Sequence, residues 1–212
     1  MKIIKDKKKA IQELKRISAR TNSENNNKIN SIVEEILQEV KNYGDIAVKK
    51  YTKKFDGFNP EPMLVSEREL KDAWDDIDSN LKRSLDVAYK RIKKFHEKEI
   101  PLSFTIKGEH GDTVQRKWKP VKNAGIYIPG GRAAYPSTVL MNAIPAKVAG
   151  VEEIIMVSPG NKEGEINKIV LAAAHLSGIK KVFRIGGAQA IGALAFGTNQ
   201  INKVDVISGP GN

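Results

Sequence analysis

A chain of 212 residues has the length for one or two domains and an ample core, and its net charge of +11 arises from 36 lysines and arginines against 25 acidic residues. There is no cysteine, so disulfides, thiolate catalysis and cysteine metal sites are excluded for these residues. The positive balance admits an anionic partner such as a dinucleotide or a nucleic acid, but the lysines are scattered over helix faces and read as solvated surface. No apolar run approaches the roughly 20 residues of a membrane span, and the start Met1-Lys2-Ile3-Ile4-Lys5-Asp6 has no signal-peptide core. A soluble, cytoplasmic protein with no membrane partner is therefore expected.

Residues from about Lys7 to Ala19 carry Ile11, Leu14 and Ile17 on one helical face. A polar break from Thr21 to Asn27 precedes a second helix, where Ile29, Ile32, Val33, Ile36, Leu37 and Val40 form a broad core-facing stripe. Gly44 stops it, and Asp45 is expected to cap a third helix burying Ile46, Val48, Tyr51 and Phe55. Ser66 and Glu69 have the spacing of a capping box, which predicts a helix start there. A further helix carries Leu81, Leu85, Ala88, Ile92 and Phe95. The alternation in Phe104-Thr105-Ile106 and Thr113-Val114-Gln115, around the turn residues Gly108 to Asp112, predicts a hairpin. Composition then shifts from lysine-rich helices to glycine and alanine. The shift marks a boundary between a helix-rich region, 1–121, and an α/β domain, 122–212.

Four apolar runs follow, each ending in glycine or proline: Ile126 to Gly131, Ile154 to Gly160, Val182 to Gly187 and Val204 to Gly211. Helical segments separate them, so the strands must run parallel, with all four glycine-rich ends on one edge of one sheet. Open α/β sheets bind ligands at that edge, where backbone N–H groups and helix N-termini are exposed. The intervening helices, expected from about Ser137 to Ala149 and from about Glu165 to Ser177, end alike in Gly150-Val151 and Gly178-Ile179, as two copies of one αβ unit. Ser137 or Thr138 would cap the first, and Pro145 would kink it near Met141.

Neither the usual dinucleotide fingerprint nor a Walker loop occurs. In their place stand Pro129-Gly130-Gly131-Arg132 and the small-residue run from Gly186 to Thr198. Gln189 lies in the first turn of that run's helix, either facing a ligand held over the glycines or pointing to solvent. Tyr127 either packs in the core or stacks on a ligand ring. His96, His110 and His175 share no metal-ligand spacing, and His175 on its alanine-rich helix reads as structural. No catalytic or metal-binding residue is assigned.

These residues resemble the histidinol dehydrogenase family. The resemblance rests on Gly125 to Gly131, Ser137 to Met141 with Ile144 to Val151, Gly186 to Thr198, and Lys203-Val204-Asp205 with Gly209-Pro210-Gly211-Asn212, with fainter support from Gly44-Asp45, Tyr51, Phe55-Asp56 and Phe95-His96-Glu97. It implies a Rossmann-like parallel sheet of the aldehyde-dehydrogenase-like α/β class behind a helical N-terminal region. The implied enzyme is a homodimer that oxidises L-histidinol through L-histidinaldehyde to L-histidine, with NAD as oxidant and zinc holding the substrate. Tyr127, Gln189 and Asn212 would contact NAD.

Members of that family are about twice as long, and their zinc ligands and general base lie beyond the Gly-Pro-Gly-Asn motif on which this chain stops. The chain is thus expected to be an N-terminal portion, inactive alone, with one face of its sheet left bare. Two other readings use the same residues: another NAD- or phosphate-binding α/β enzyme portion, or a basic nucleic-acid-binding module. The second lacks a glycine-aromatic RNA-binding signature and a clustered basic helix.

Overall fold

The computed structural model describes residues 4–18, 24–130 and 134–210. In chain order the elements are α1 (Lys7–Ser18), α2 (Glu24–Tyr43), α3 (Asp45–Asp56), α4 (Glu67–Asp76), α5 (Ser79–His96), β1 (Phe104–Lys107), β2 (Thr113–Arg116) and β3 (Asn123–Tyr127). They continue as α6 (Pro136–Ala149), β4 (Glu153–Val157), α7 (Lys168–Leu176), β5 (Lys181–Phe183), α8 (Gly187–Phe196) and β6 (Val206–Ser208). β1 and β2 form the expected antiparallel hairpin, with every residue exposed.

The four later strands form one parallel sheet in the order β5-β4-β3-β6. After β3 the chain moves outward through β4 and β5, then returns to place β6 on the other side of β3. The strand order reverses there, and such a reversal opens a crevice at the carboxyl edge. The repeated αβ unit is also present. Gly150 (φ 89°) and Gly178 (φ 65°) end their helices in the left-handed conformation, and the next residue donates back into the helix, Val151 to the Ala146 carbonyl and Ile179 to the Ala174 carbonyl, both at 3.0 Å.

Strand alternation sends Ile126, Ile128, Met156 and Val182 into a core shared with α4, α5, α6 and α7. Ile155, Val157, Phe183 and Ile185 enter a second core, with Ile36, Val40, Val48, Tyr51 and Leu194 from α2, α3 and α8. Both faces are therefore covered, contrary to the expected bare face, because the N-terminal helices fold back over the sheet. The outer edge of β5 is also occupied: Val65 donates to the Val182 carbonyl at 2.8 Å, and Arg184 N–H to the Met63 carbonyl at 2.9 Å. Among the described residues, the open edge is that of β6.

Several local expectations are corrected. α2 begins at Glu24, inside the expected polar break, and only its C-terminal half reaches the core: Ile36 and Val40 are buried, Ile29 and Ile32 exposed. In α3, Val48 and Tyr51 are buried, but Ile46 lies two residues from Val48, on the far side of the helix, and is 75% exposed. Phe55 stacks on Tyr51 with ring centroids 5.8 Å apart and is half exposed. Ile11, Leu14 and Ile17 of α1 are exposed as well.

The caps also differ. Gly44 (φ 53°) ends α2 and begins α3, leaving Asp45 inside the helix and not at its cap. Pro136 occupies the first turn of α6, where its fixed φ is preorganised, so Tyr135 takes the N-cap and Ser137 and Thr138 lie within. α7 starts only at Lys168, capped by the Asn167 side chain at 2.9 Å from Ile169 N. Glu163 and Glu165 do not open that helix. They belong to a turn in which Asn161 Oδ1 accepts from both their N–H groups, at 3.0 and 2.8 Å. His175 is structural as expected, stacked on Trp74 at 6.3 Å between α7 and α4.

Asp56 provides a pH test of this packing. It closes α3, where a negative charge opposes the helix dipole, and its buried Oδ2 has no partner. Burial raises its pKa. A folded pKa above the unfolded one means that the protonated group's contribution is complete below the unfolded value and lost as pH rises through the folded value. Asp56→Asn is expected to raise the thermal midpoint at pH 7, with the gain disappearing at acid pH. Melting curves at the two pH values check it, and an equal gain at both would contradict the burial account.

Candidate functional site

The carboxyl edge is built from the ends of β3, β4, β5 and β6. Tyr127 closes β3 with its side chain toward the α8 face, half-buried against the core there, which Ala188 and Ile207 also border. Its hydroxyl accepts a hydrogen bond from Gly187 N–H at 3.2 Å, so the ring reaches across β4 to the turn before α8. Gln189, two residues into that helix, is 1% exposed. The solvent-facing alternative for Gln189 is thus overturned. The small residues of α8 let the helix settle closely under α2, where a Cβ on Gly192 would lie 3.1 Å from Leu37 and 3.3 Å from Val40.

Neither Gln189 Oε1 nor Nε2 has a hydrogen-bond partner. A buried amide without partners costs on the order of 1–3 kcal/mol per group and is rare in native structures. Its Oε1 lies 2.6 Å from where a Gly187 Cβ would sit, so the amide folds back over the same glycine that binds Tyr127. A donor and an acceptor therefore wait unpaired beside the β5–α8 turn. They fit a polar ligand group bringing the complementary pair.

At the end of β6, a Cβ on Gly209 (φ 143°) would lie 2.2 Å from the Tyr127 carbonyl oxygen. Only glycine permits this approach, and it brings the segment leading to Asn212 against Tyr127. Tyr127 and the Gln189 turn are thus brought together, while Asn212, Gly131 and Arg132 lie outside the described residues. Two glycines of this edge have a packing role that sequence reading missed. A Cβ on Gly130 would meet Pro159 Cγ at 2.5 Å, and one on Gly186 would meet Pro159 Cβ at 2.5 Å. Pro159 is wedged between the turns of β3 and β5, and the Ser-Pro-Gly motif after β4 was its only sequence signal.

The structure also reveals a cavity of about 630 Å³ on the α4–α7 side of the same edge, lined in part by Pro129, Gly130 and the Ser158–Asn161 loop. Sequence reading missed it because α4 and that loop are about 90 residues apart. Arg184 holds its wall: the guanidinium donates to Glu69 Oε2 at 2.7 Å and to the Gly164 carbonyl at 3.3 Å. Glu69 is thereby diverted from the reciprocal half of the capping box, in which Ser66 Oγ accepts from Glu69 N at 3.1 Å. Among the described residues, no group of three or more histidine, aspartate or glutamate side chains is arranged to hold a metal ion. None of the described helices is long and apolar enough to cross a membrane.

The sequence profile of histidinol dehydrogenase matches residues 19–212. The chain is 90% identical over 212 residues to the histidinol dehydrogenase of Prochlorococcus marinus (strain MIT 9312), covering 100% of this chain and 48% of that protein. With the histidinol dehydrogenase of Aquifex aeolicus (strain VF5) the identity is 53% over 182 residues, 85% of this chain and 41% of that one. The crystal structure of histidinol dehydrogenase from Elizabethkingia anophelis superposes with a TM-score of 0.83 at 40% identity, covering 87% of this chain and 42% of that chain. The chain spans about half the length of the curated relatives it matches. On this evidence it belongs to the histidinol dehydrogenase family.

Proposed function

We propose that this chain forms the dinucleotide-binding half of an enzyme that oxidises L-histidinol through L-histidinaldehyde to L-histidine, the final steps of histidine biosynthesis, using NAD. Residues 122–212 are the NAD-binding domain, of the aldehyde-dehydrogenase-like class, and residues 1–121 are the region that covers it. Tyr127, Gln189 and Asn212 are the residues assigned to NAD. When bound, NAD supplies the hydride acceptor. The chain's own part is to hold and orient it, with the Gln189 amide offering one donor and one acceptor and Tyr127 setting the turn at Gly187.

The observation that carries this reading is the buried, unpartnered Gln189 amide beside that turn, at the strand-order reversal. The zinc implied by the family has no ligand set among the described residues, and we assign its ligands to the remainder of the family-length protein. Homodimer formation and a cytoplasmic location complete the proposal. The exposed apolar side chains of α1 and of the β1–β2 hairpin support subunit contacts. Family membership disfavours the nucleic-acid module and the unrelated NAD- or phosphate-binding enzyme.

Gln189→Leu tests the reading because it moves two quantities in opposite directions. Removing a buried unsatisfied amide is expected to stabilise the fold by about 1 kcal/mol, while binding of NADH weakens about tenfold or more. Tyr127→Phe, which deletes only the acceptor for Gly187 N–H, is expected to weaken binding about threefold to tenfold. NADH fluorescence titration with parallel melting curves measures both. Unchanged affinity in Gln189→Leu would remove Gln189 from the site.

A further inference from the structure

We propose that Arg184 is a positioning residue: it holds the loop after β4 and the end of β5 in one frame, so that Pro159 fixes the separation of the two glycine turns at the carboxyl edge. The proposal rests on the dinucleotide reading above and adds a residue that acts on that edge through others.

Arg184 follows β5 directly and stands two residues before Gly186, the N-cap of α8. Its backbone N–H donates to the Met63 carbonyl at 2.9 Å, and Ile185 after it is fully buried in the core shared with α8. The backbone there is fixed. The Arg184 side chain leaves on the opposite face, where the guanidinium donates to Glu69 Oε2 at 2.7 Å and to the Gly164 carbonyl at 3.3 Å. One fork thus joins β5, the first turn of α4 and the loop of residues 158–167.

That loop is a compact unit. Asn161 N–H donates to the Glu165 carbonyl and Gly164 N–H to the Asn161 carbonyl, both at 2.9 Å, and a Cβ on Gly160 would lie 2.7 Å from the Gly164 carbonyl carbon. Its near end is tied down by Ser158 N–H on the Phe183 carbonyl at 3.0 Å. Its far side is held by Arg184 and by the Phe58 ring, 2.9 Å from where a Gly164 Cβ would sit. Between these attachments stands Pro159, against Gly130 on one side and Gly186 on the other. Releasing the Arg184 bond frees the far side, and the wedge between the turns loosens with it.

Stability alone does not account for this arginine. Its Nε is buried and takes no hydrogen bond among the described residues, which costs stability, and Glu69 has left the reciprocal bond of its capping box to reach it. The ion pair gained is partly exposed, with the Glu69 side chain 39% accessible, and such pairs add little. Local bonds given up at a defined place mark a point where position matters more than stability. The position at stake is that of the Gly186–Gly187 turn, on which the Tyr127 hydroxyl and the Gln189 amide converge.

The test is NADH fluorescence titration with parallel melting curves on the sequence extended to the length of its relatives. Arg184→Met is expected to weaken NADH about fivefold or more, and Arg184→Lys, which keeps the charge but not the fork, about twofold. Pro159→Gly should weaken it about as much as Arg184→Met, and the double variant no further than the weaker-binding single one, because the arginine acts through the proline. Leu85→Ala, in the core at α5, should lower the melting midpoint at least as far with NADH affinity unchanged. Should Arg184→Met not fold, Arg184→Lys takes its place in the double variant with the same expectation. The positioning role is overturned, while the dinucleotide reading stands, if Gln189→Leu weakens NADH but neither Arg184 variant does. It is equally overturned if the Arg184 and Pro159 effects multiply, or if Leu85→Ala weakens NADH as much. If wild type does not bind NADH, both are overturned.

Discussion

Supplied with zinc, NAD and L-histidinol, the 212-residue chain is expected to form no NADH, while the same sequence extended to the length of its relatives turns over. Oxidising an alcohol removes a hydride and a proton, and the proton needs an acceptor within hydrogen-bond reach or a metal-polarised oxygen. The described groups around Gly187 are an amide, a phenol and small apolar side chains. The three histidines lie elsewhere: His175 against Trp74, His96 beside Glu99 at the end of α5, and His110 in the hairpin turn. Of the neighbouring cavity's carboxylates, Glu69, Asp72 and Asp76 are held in ion pairs, and Glu165 lies on the α4–α7 face of the sheet, away from the Gly187 turn, bonded to the Asn161 amide at 3.4 Å. Purified protein of both lengths, assayed for NADH from histidinol, checks this. Turnover by the short form at a comparable rate would place the base within these residues and refute the proposed division of labour.

Gly209→Ala is expected to weaken NADH binding by about tenfold or more and to cost about 2–3 kcal/mol of stability. The added Cβ would stand 2.2 Å from the Tyr127 carbonyl oxygen, a contact that neither backbone can relieve in place. β6 is an edge strand, paired on one side through Val206, Ile207 and Ser208 with Ala124, Gly125 and Ile126 and tied to α6 by Ser208 Oγ donating to Asn142 Oδ1 at 2.7 Å, so displacement of the strand is the outcome. The cores under α2 and α7 should survive, because β3, β4 and β5 keep their own pairing. Hydrogen exchange would then rise in β6 alone. Gly111→Ala is the control for a positive-φ glycine without the contact, since its φ is 84° and its Cβ would meet nothing within 4 Å. Equal effects of the two substitutions would show that strain, and not the contact with Tyr127, sets the cost.

The parallel sheet was legible in advance because its evidence is local. Four apolar runs ending in glycine, separated by helix-length segments with matched Gly-Val and Gly-Ile caps, leave the strands parallel with their ends on one edge, although the order β5-β4-β3-β6 is not written in them. The neighbourhood of the site was legible for the same reason, since Tyr127 and Gln189 each follow from the end of a strand. The family was legible in the long motifs from Gly125 onward, and residues 19–212 match it.

Which apolar positions are buried was decided by tertiary structure. The stripes of α2 and α3 have the right period throughout, but Ile29 and Ile46 find nothing to cover them, because a helix buries only the part of its face that another element reaches. The two faces of the sheet were likewise closed by helices from the first half of the chain, through contacts that no local pattern encodes. Burial of the Gln189 amide depends on how closely α8 seats under α2, and the acid-lined cavity on bringing α4 to a loop about 90 residues away. By itself the sequence determined the strands, their direction and the edge on which their glycine-rich ends gather. Which polar groups on that edge stand unpaired was set only when distant segments packed, since pairing is a property of positions in space and not of spacing along the chain.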